Sequence, residues 1–183
     1  MRKWNGIIAF GILVLFLVHA IWGSLELSGM TGGGKTAFTA LSHTMVVLIA
    51  LHIAIGTKLT FDSIRAAKKA GVSYFKENKL FWIRRISGFA AMFFILFHVL
   101  VFSPRQSGAA FRLHFFGIGE LIFQILLAAT LALHVLTNIR PLMLALGSRK
   151  FWGLFLDILL VLAVLFLLFG VAFVVYFIRW QAF

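Results

Sequence analysis

The chain has 183 residues, of which 62% are hydrophobic and only 12% are charged. A water-soluble domain of this length carries about twice that charged fraction, so the composition predicts an integral membrane protein. The net charge of +12 would suit a nucleic-acid-binding protein. In so apolar a chain it indicates basic residues that flank membrane spans on the cytoplasmic side, and we expect no nucleic acid.

Five apolar runs are each long enough, at roughly 20 residues, to cross a bilayer as a helix. In chain order, as predicted helices I to V, they are Trp4–Leu27, Ser42–Phe61, Trp82–Phe102, Phe116–Ile139 and Trp152–Phe177. None shows the alternation of an outer-membrane strand. The sequence therefore predicts an all-α fold, a bundle of five transmembrane helices forming a single domain over residues 1–183. The first run lacks a clean cleavage site, so we expect it to be an uncleaved span.

The basic residues orient this bundle. With a cytoplasmic N-terminus, all but four of the 17 Lys and Arg fall on the cytoplasmic side. The four on the outer side are Lys35, Arg105, Arg112 and Arg179. Membrane proteins carry an excess of Lys and Arg in cytoplasmic loops, so the sequence predicts a cytoplasmic N-terminus and an outer C-terminus.

The segment GMTGGGKT, Gly29–Thr36, matches the phosphate-binding loop pattern G-x-x-x-x-G-K-[ST]. Such a loop binds phosphates between a buried strand and a helix N-terminus, but here it follows an apolar helix. We therefore expect no nucleotide at Gly29–Thr36, and we interpret its glycines as a tight turn between helices I and II.

Four of the six histidines lie in the apolar runs, one on each of the first four helices: His19, His52, His98 and His134. Ionisable groups at membrane depth are costly and generally face the bundle interior. Because successive helices run in opposite directions, His19 should pair with His98 in the outer half. His52 should pair with His134 nearer the inner side, roughly 10–15 Å away at 1.5 Å per residue.

Two facing imidazoles can hold a six-coordinate haem iron, so two pairs predict two haems. The chain has no cysteine, which excludes thioether attachment and makes both haems type b. Small residues should leave space beside the macrocycles, notably Gly56 on the face of His52 and Gly88 on the helix of His98. Inner basic groups are expected to neutralise haem propionates, chiefly Arg85 with Lys58 and Arg140.

Other interpretations of these histidines remain open. Buried histidines can make helix–helix hydrogen bonds or a proton relay, although mid-membrane carboxylates for a relay are scarce here. A haem-free metal site would instead gather three or four ligands at one level. His43 and His114 lie near the outer boundary, where we expect interfacial side chains, with a quinone-binding role for His43 as the alternative.

Two carboxylates are candidate proton acceptors for quinol oxidation. Glu26 follows His19 by seven residues, which returns it to within roughly 20° of the same helix face and about 10 Å further outward. Glu120 precedes His134 by fourteen residues, about 40° from its face, also at the outer level. We expect both to converge above the outer haem; the alternative is simple interfacial solvation.

Four segments together resemble the dihaem cytochrome b membrane subunit of succinate dehydrogenases and fumarate reductases, in its single-subunit, five-helix class. They are LFLVHAIWG, ALHIAIG, WIRRISGFAAMFFILFHVLVF and LALHVLTN. The most specific element is R-x-S-G at the start of helix III, with Arg85, Ser87 and Gly88, and a histidine ten residues after the glycine. The resemblance implies two b haems held by the four histidines.

The same resemblance implies partners and a location. It implies a flavoprotein and an iron–sulfur protein on the cytoplasmic side, a quinone substrate, often menaquinone, and a bacterial or archaeal cytoplasmic membrane. The chain would then be a subunit of an oxidoreductase complex without dicarboxylate chemistry of its own. The alternatives are a bis-His cytochrome b of a hydrogenase or formate dehydrogenase, and a haem-free membrane anchor or transporter.

Overall fold

The protein is described here by a computed structural model covering residues 1–31, 36–72, 78–102, 105–107, 110–112, 117–147 and 153–181. Within these ranges the chain forms five long helices and one short hairpin. In chain order they are α1 (Arg2–Leu27), α2 (Thr36–Lys69), α3 (Lys79–Phe102), β1 (Arg105–Ser107), β2 (Ala110–Arg112), α4 (Ile118–Ala145) and α5 (Phe155–Gln181).

All five helices are long and apolar enough to cross a membrane, which confirms the predicted number of spans. Their lipid-facing surfaces are correspondingly apolar, and α5 has the highest mean hydropathy, 3.3. The chain is therefore a multi-pass membrane protein with a helical bundle. The predicted starts at Phe116 and Trp152 lie outside the described residues.

Three helices, α2, α4 and α5, continue beyond their predicted C-terminal ends, and α5 does so by one turn, to Gln181 instead of Phe177. Helix α2 runs to Lys69 instead of stopping at Phe61, because the segment after the apolar run is rich in good helix formers. Lys68 and Lys69 close its last turn, where positive charge is favourable at the C-terminal end of a helix. Helix α4 passes through Pro141 to Ala145, as membrane helices can when neighbouring groups satisfy the freed backbone.

The hairpin between α3 and α4 was not predicted from the sequence. Strands β1 and β2 pair antiparallel, with Arg105 opposite Arg112. The two strands are three residues each, too short to carry the alternating pattern on which strand prediction depends.

The helices alternate in direction. A buried cluster joins the C-terminal ends of α1, α3 and α5 to the N-terminal part of α4: Leu27, Val101, Leu121, Phe173 and Tyr176. We call this the Tyr176 end. At the opposite end, which we call the Arg84 end, the start of α1 meets the end of α4. There Gly6 approaches so closely that a Cβ atom would lie 2.8 Å from Cβ of Ala145.

Packing among the helices is uneven. Helix α1 packs against α2, α4 and α5, and α4 also packs against α3 and α5. Helix α2 has its close contacts with α1, and neither α1 with α3 nor α2 with α4 is a closely packed pair within the described ranges. Space therefore remains between the α1–α2 pair and the α3–α4 pair, and the histidines project into this space.

Candidate functional site

The four membrane-depth histidines meet in two pairs, in the combination predicted from their depths. His19 on α1 faces His98 on α3, with ring centres 6.2 Å apart and ring planes at 78°. His52 on α2 faces His134 on α4, with ring centres 6.5 Å apart and planes at 80°. Each pair thus bridges two helices that do not pack closely against each other.

The spacing within each pair suits a metal ion between the rings. An imidazole nitrogen lies about 2.0–2.1 Å from a metal that it ligates and roughly 1.1 Å from its own ring centre, so two imidazoles on opposite sides of one ion have centres about 6.3 Å apart. The observed 6.2 and 6.5 Å bracket this value. Edge-to-face ring packing covers the same range, so the hydrogen bonds of the rings are the more specific observation.

Two of the rings are held at Nδ1 by oxygen acceptors. Nδ1 of His98 lies 2.8 Å from the side-chain oxygen of Gln124. Nδ1 of His134 lies 3.2 Å from the backbone carbonyl oxygen of Arg84 and 3.3 Å from the hydroxyl of Ser87. A carbonyl oxygen can only accept, so these contacts require the proton on Nδ1 and leave Nε2 with a lone pair. Histidines that ligate metals are commonly held in this way.

The other two rings differ from each other. Nδ1 of His19 lies 3.3 Å from the hydroxyl of Ser42, which can donate or accept. Nδ1 of His52 is buried and has no hydrogen-bond partner within the described ranges. Buried polar atoms are generally paired, so His52 differs in this respect from the other three rings.

Three of these supporting groups were missed in the sequence. Gln124 and Ser42 could have been found, because a polar side chain inside an apolar run is costly and needs a reason to be there. The backbone carbonyl of Arg84 carries no sequence signal. Its contact with His134 is seen only in the structure. The Arg84 guanidinium joins α3 to α4 at the same place, because it donates to the carbonyl of Thr137, 2.9 Å away.

A cavity of about 1330 Å³ runs through the bundle and is lined by all four paired histidines and by residues from each helix. It extends from Arg2 and Asn5 at the Arg84 end to Glu26 and Leu27 at the Tyr176 end. A pocket for one drug-sized ligand measures roughly 300–1,000 Å³, so this cavity is large enough for more than one.

The two predicted spacer glycines both line the cavity, but in different ways. A Cβ atom on Gly56 would have only the Arg85 guanidinium near it, at 3.9 Å. A Cβ atom on Gly88 would lie 3.0 Å from Cε1 of His134. Gly88 was expected to make space on the helix of His98, whereas the structure shows that it lets the His134 ring approach α3.

The cations at the Arg84 end differ from the predicted set. Arg85 lines the cavity, with its guanidinium 5.0 Å from the ring centre of Phe81. Arg2 and Arg84 line it as well, whereas Lys58 and Arg140 are not among the lining residues. Lys58 instead forms an exposed ion pair with Asp62 at 3.2 Å, because the two lie four residues apart on the outside of α2.

The two candidate carboxylates are in different environments. Glu26 lines the cavity and accepts a hydrogen bond from the indole nitrogen of Trp22 at 2.7 Å. Glu120 is not among the lining residues, and its carboxylate accepts the backbone N–H of Gly117 at 2.8 Å. It thereby caps its own helix, where negative charge is favourable. The geometry does not support the predicted convergence, and a proton-acceptor role for Glu120 stays a prediction.

Three predicted features remain: His43, His114 and the phosphate-loop-like segment. His43 is exposed yet belongs to the cavity lining, which is compatible with either of its predicted roles. His114 lies outside the described residues. Gly29 has a φ of +73°, which confirms a glycine turn after α1. The rest of the phosphate-loop-like segment, residues 32–35, is not described.

Within the described ranges, no three His, Asp or Glu side chains converge on a common point. The four membrane-depth histidines of these ranges are thus grouped as two separate pairs. No family model, no curated protein and no solved structure matches this chain.

Proposed function

We propose that this chain is a dihaem cytochrome b, the membrane anchor and electron-transfer subunit of a succinate dehydrogenase or fumarate reductase complex. It would pass electrons between a membrane quinone and the iron–sulfur subunit. The observation that carries the proposal is the arrangement of two histidine pairs, with ring centres 6.2 and 6.5 Å apart in one cavity. His19 and His98 would hold one haem, and His52 and His134 the other.

The chain's own groups fit two b haems. A bound haem supplies a one-electron carrier at each level. The wall of the cavity is mostly apolar, which suits a porphyrin. The contacts at Nδ1 of His98 and His134 keep the opposite ring nitrogens available as ligands. Arg85 with Arg2 and Arg84 would neutralise propionates at the Arg84 end.

The identity of the complex is supported by the resemblance of four helical segments to this family. We propose a flavoprotein and an iron–sulfur partner at the Arg84 end, facing the cytoplasm. Exposed cations there, including Lys68 and Lys69, would favour docking of an acidic surface. The membrane would be the cytoplasmic membrane of a bacterium or archaeon, and menaquinone the class of quinone that the family implies.

A different bis-His cytochrome b, of the hydrogenase or formate dehydrogenase type, would use the same ligand geometry. A haem-free anchor or transporter gives no reason for two facing histidine pairs at this spacing in one cavity. The identity of the soluble partners therefore distinguishes the proposal from a hydrogenase or formate dehydrogenase cytochrome. The haem content distinguishes it from a haem-free anchor or transporter.

One purification tests both points. The chain is expressed with its chromosomal neighbours, extracted in mild detergent and isolated by a tag on this chain. We expect a reduced-minus-oxidised spectrum of b haem, a pyridine haemochrome content of two haems per chain, and copurification of a flavoprotein with an iron–sulfur protein. A preparation without a Soret band would refute the haem assignment, and a hydrogenase or formate dehydrogenase partner would refute the complex.

Glu26 is our candidate proton acceptor for quinol, because it is a carboxylate in the cavity wall at the Tyr176 end. A quinol gives up two protons on oxidation, and a positioned base nearby typically accelerates such a transfer by about 10²–10⁴-fold. We therefore expect Glu26→Gln to reduce electron transfer from quinol to haem at least about 10²-fold. Both haems should remain bound, and the soluble subunits should stay active with artificial dyes.

Glu120→Gln is the matched control, since it makes the same change in a carboxylate that caps α4 outside the cavity lining. We expect it to leave quinol turnover within about twofold. Gln keeps an oxygen that accepts the Gly117 N–H, so only the charge at the helix N-terminus is lost, at a cost of about 0.3–1 kcal/mol. Near-normal turnover in the Glu26 variant would move the quinone site elsewhere, with the inner side near Ser87 and Arg85 as the next place to test.

A further inference from the structure

Gln124 is the most deeply buried polar side chain of the described bundle, with 1% relative exposure. It lies on α4, one turn after Leu121, and is not among the residues that line the cavity. An amide in an apolar, membrane-embedded position is costly unless its hydrogen bonds are made. Its one recorded hydrogen bond goes to Nδ1 of His98, at 2.8 Å.

His98 itself lines the cavity, so this bond joins a lining residue to a side chain outside the lining. The ring is also fixed by Phe102 and Phe173, whose centres lie 4.9 and 6.3 Å from that of the imidazole. These contacts restrict the orientation of the His98 ring, and the Gln124 amide binds its Nδ1 atom. The side-chain oxygen of Gln124 can only accept, so the proton stays on Nδ1 of His98.

His98 differs in this respect from the other three rings. His134 is held by a backbone carbonyl, which no side-chain substitution removes. His19 has a hydroxyl at 3.3 Å, and Nδ1 of His52 has no partner within the described ranges. His98 is thus the ring whose Nδ1–H is held by a side-chain amide, and a side chain can be changed.

We propose that Gln124 is a positioning residue for His98. Its oxygen holds the proton on Nδ1, keeps Nε2 available as the metal-binding nitrogen, and lowers the reduction potential of the centre held by His19 and His98. This proposal rests on the proposed haem function. The physical reason is that an acceptor at the far nitrogen raises the basicity of an imidazole ligand, and a more basic ligand favours the oxidised metal.

The test uses Gln124→Leu and Gln124→Glu in the purified complex, with redox titration and EPR of the ferric haems. Leu removes the acceptor, so the reduction equilibrium of one haem should shift about tenfold toward the reduced form, about 59 mV for one electron. The g values of that haem should change, and the other haem should keep its potential. Glu retains an acceptor, so its potential should stay near that of the wild type or fall.

Leu121→Ala is the control for packing, because Leu121 lies one turn before Gln124 on α4 and belongs to the buried cluster that includes Phe173. It should leave both potentials unchanged. Unchanged potentials in the Leu variant, or an equal rise in the Leu and Glu variants, would overturn the proposal. If Gln124→Leu loses one haem, retention of both haems by Gln124→Glu supports the role, and the same loss in both variants overturns it.

A second readout does not depend on haem. In haem-free chain labelled with ¹⁵N-histidine, NMR distinguishes a ring protonated at Nδ1 from one protonated at Nε2. We expect the signal of one Nδ1-protonated ring to be lost in Gln124→Leu and retained in Leu121→Ala. If the wild-type chain bound no haem, the proposed function would fail, while this spectrum would still decide whether Gln124 sets the tautomer of His98. An unchanged spectrum in the Leu variant would refute it.

Discussion

Replacing one member of a histidine pair by alanine should remove one haem and leave the other. A b haem has no thioether bond to the chain, so the loss of one of two axial ligands should empty its site. His52→Ala and His134→Ala should each halve the haemochrome content, and their remaining spectra should be identical. The reason is that both variants disrupt the pair whose ring centres are 6.5 Å apart.

Double variants make this pairing a sharp test. His52→Ala with His134→Ala should retain one haem, whereas His52→Ala with His98→Ala should retain none. His43→Ala is the control, because His43 lies on the same helix as His52 but is exposed. The pairing would be contradicted by a His52→Ala chain with two haems, or by one haem in the His52, His98 double variant.

A side chain at Gly88 should disturb the haem held by His52 and His134. A Cβ atom there would lie 3.0 Å from Cε1 and 3.3 Å from Nδ1 of His134. Carbon atoms pack comfortably at about 3.5–4.0 Å, so the ring would have to move by several tenths of an ångström. We expect Gly88→Ala to shift the potential and EPR signal of this haem, and Gly88→Leu to eliminate it.

The His134 ring cannot retreat freely, because Ser87 and the carbonyl of Arg84 hold its Nδ1. Gly11→Ala is the matched control, since a Cβ atom at this helical glycine would have no neighbour within 4 Å. That variant should retain both haems and gain roughly 0.5–1 kcal/mol of helix stability. A Gly88→Leu chain with both haems and unchanged spectra would show that His134 does not need this approach to α3.

The amino-acid sequence by itself determined the five spans and the two histidine pairs. Apolar runs of about 20 residues have one low-energy solution in a bilayer, because every backbone group must be satisfied within the segment. The alternation of helix direction then sets the depth of each histidine. The distances along the chain were sufficient for predicting His19 with His98 and His52 with His134, which the structure brings together.

Helix ends were less predictable than spans. Hydropathy indicates where contact with lipid ends. A helix can continue into polar residues of high helix propensity, as α2 does to Lys69. The roles of single polar residues were also hard to assign from spacing. Glu120 lies about 40° from the face of His134 on an ideal helix. Its carboxylate nevertheless caps the N-terminus of α4, where it accepts the backbone N–H of Gly117 at 2.8 Å.

Only the tertiary structure decided which groups form hydrogen bonds with the Nδ1 atoms of the histidine rings. Gln124 on α4 reaches His98 on α3, and the carbonyl of Arg84 on α3 reaches His134 on α4. Both contacts join the consecutive helices α3 and α4. They depend on the rotation of each helix about its axis and on approaches such as that of Gly88 to His134. Helical periodicity gives the face of each residue, but the neighbouring helix on that face is set by packing of the whole bundle.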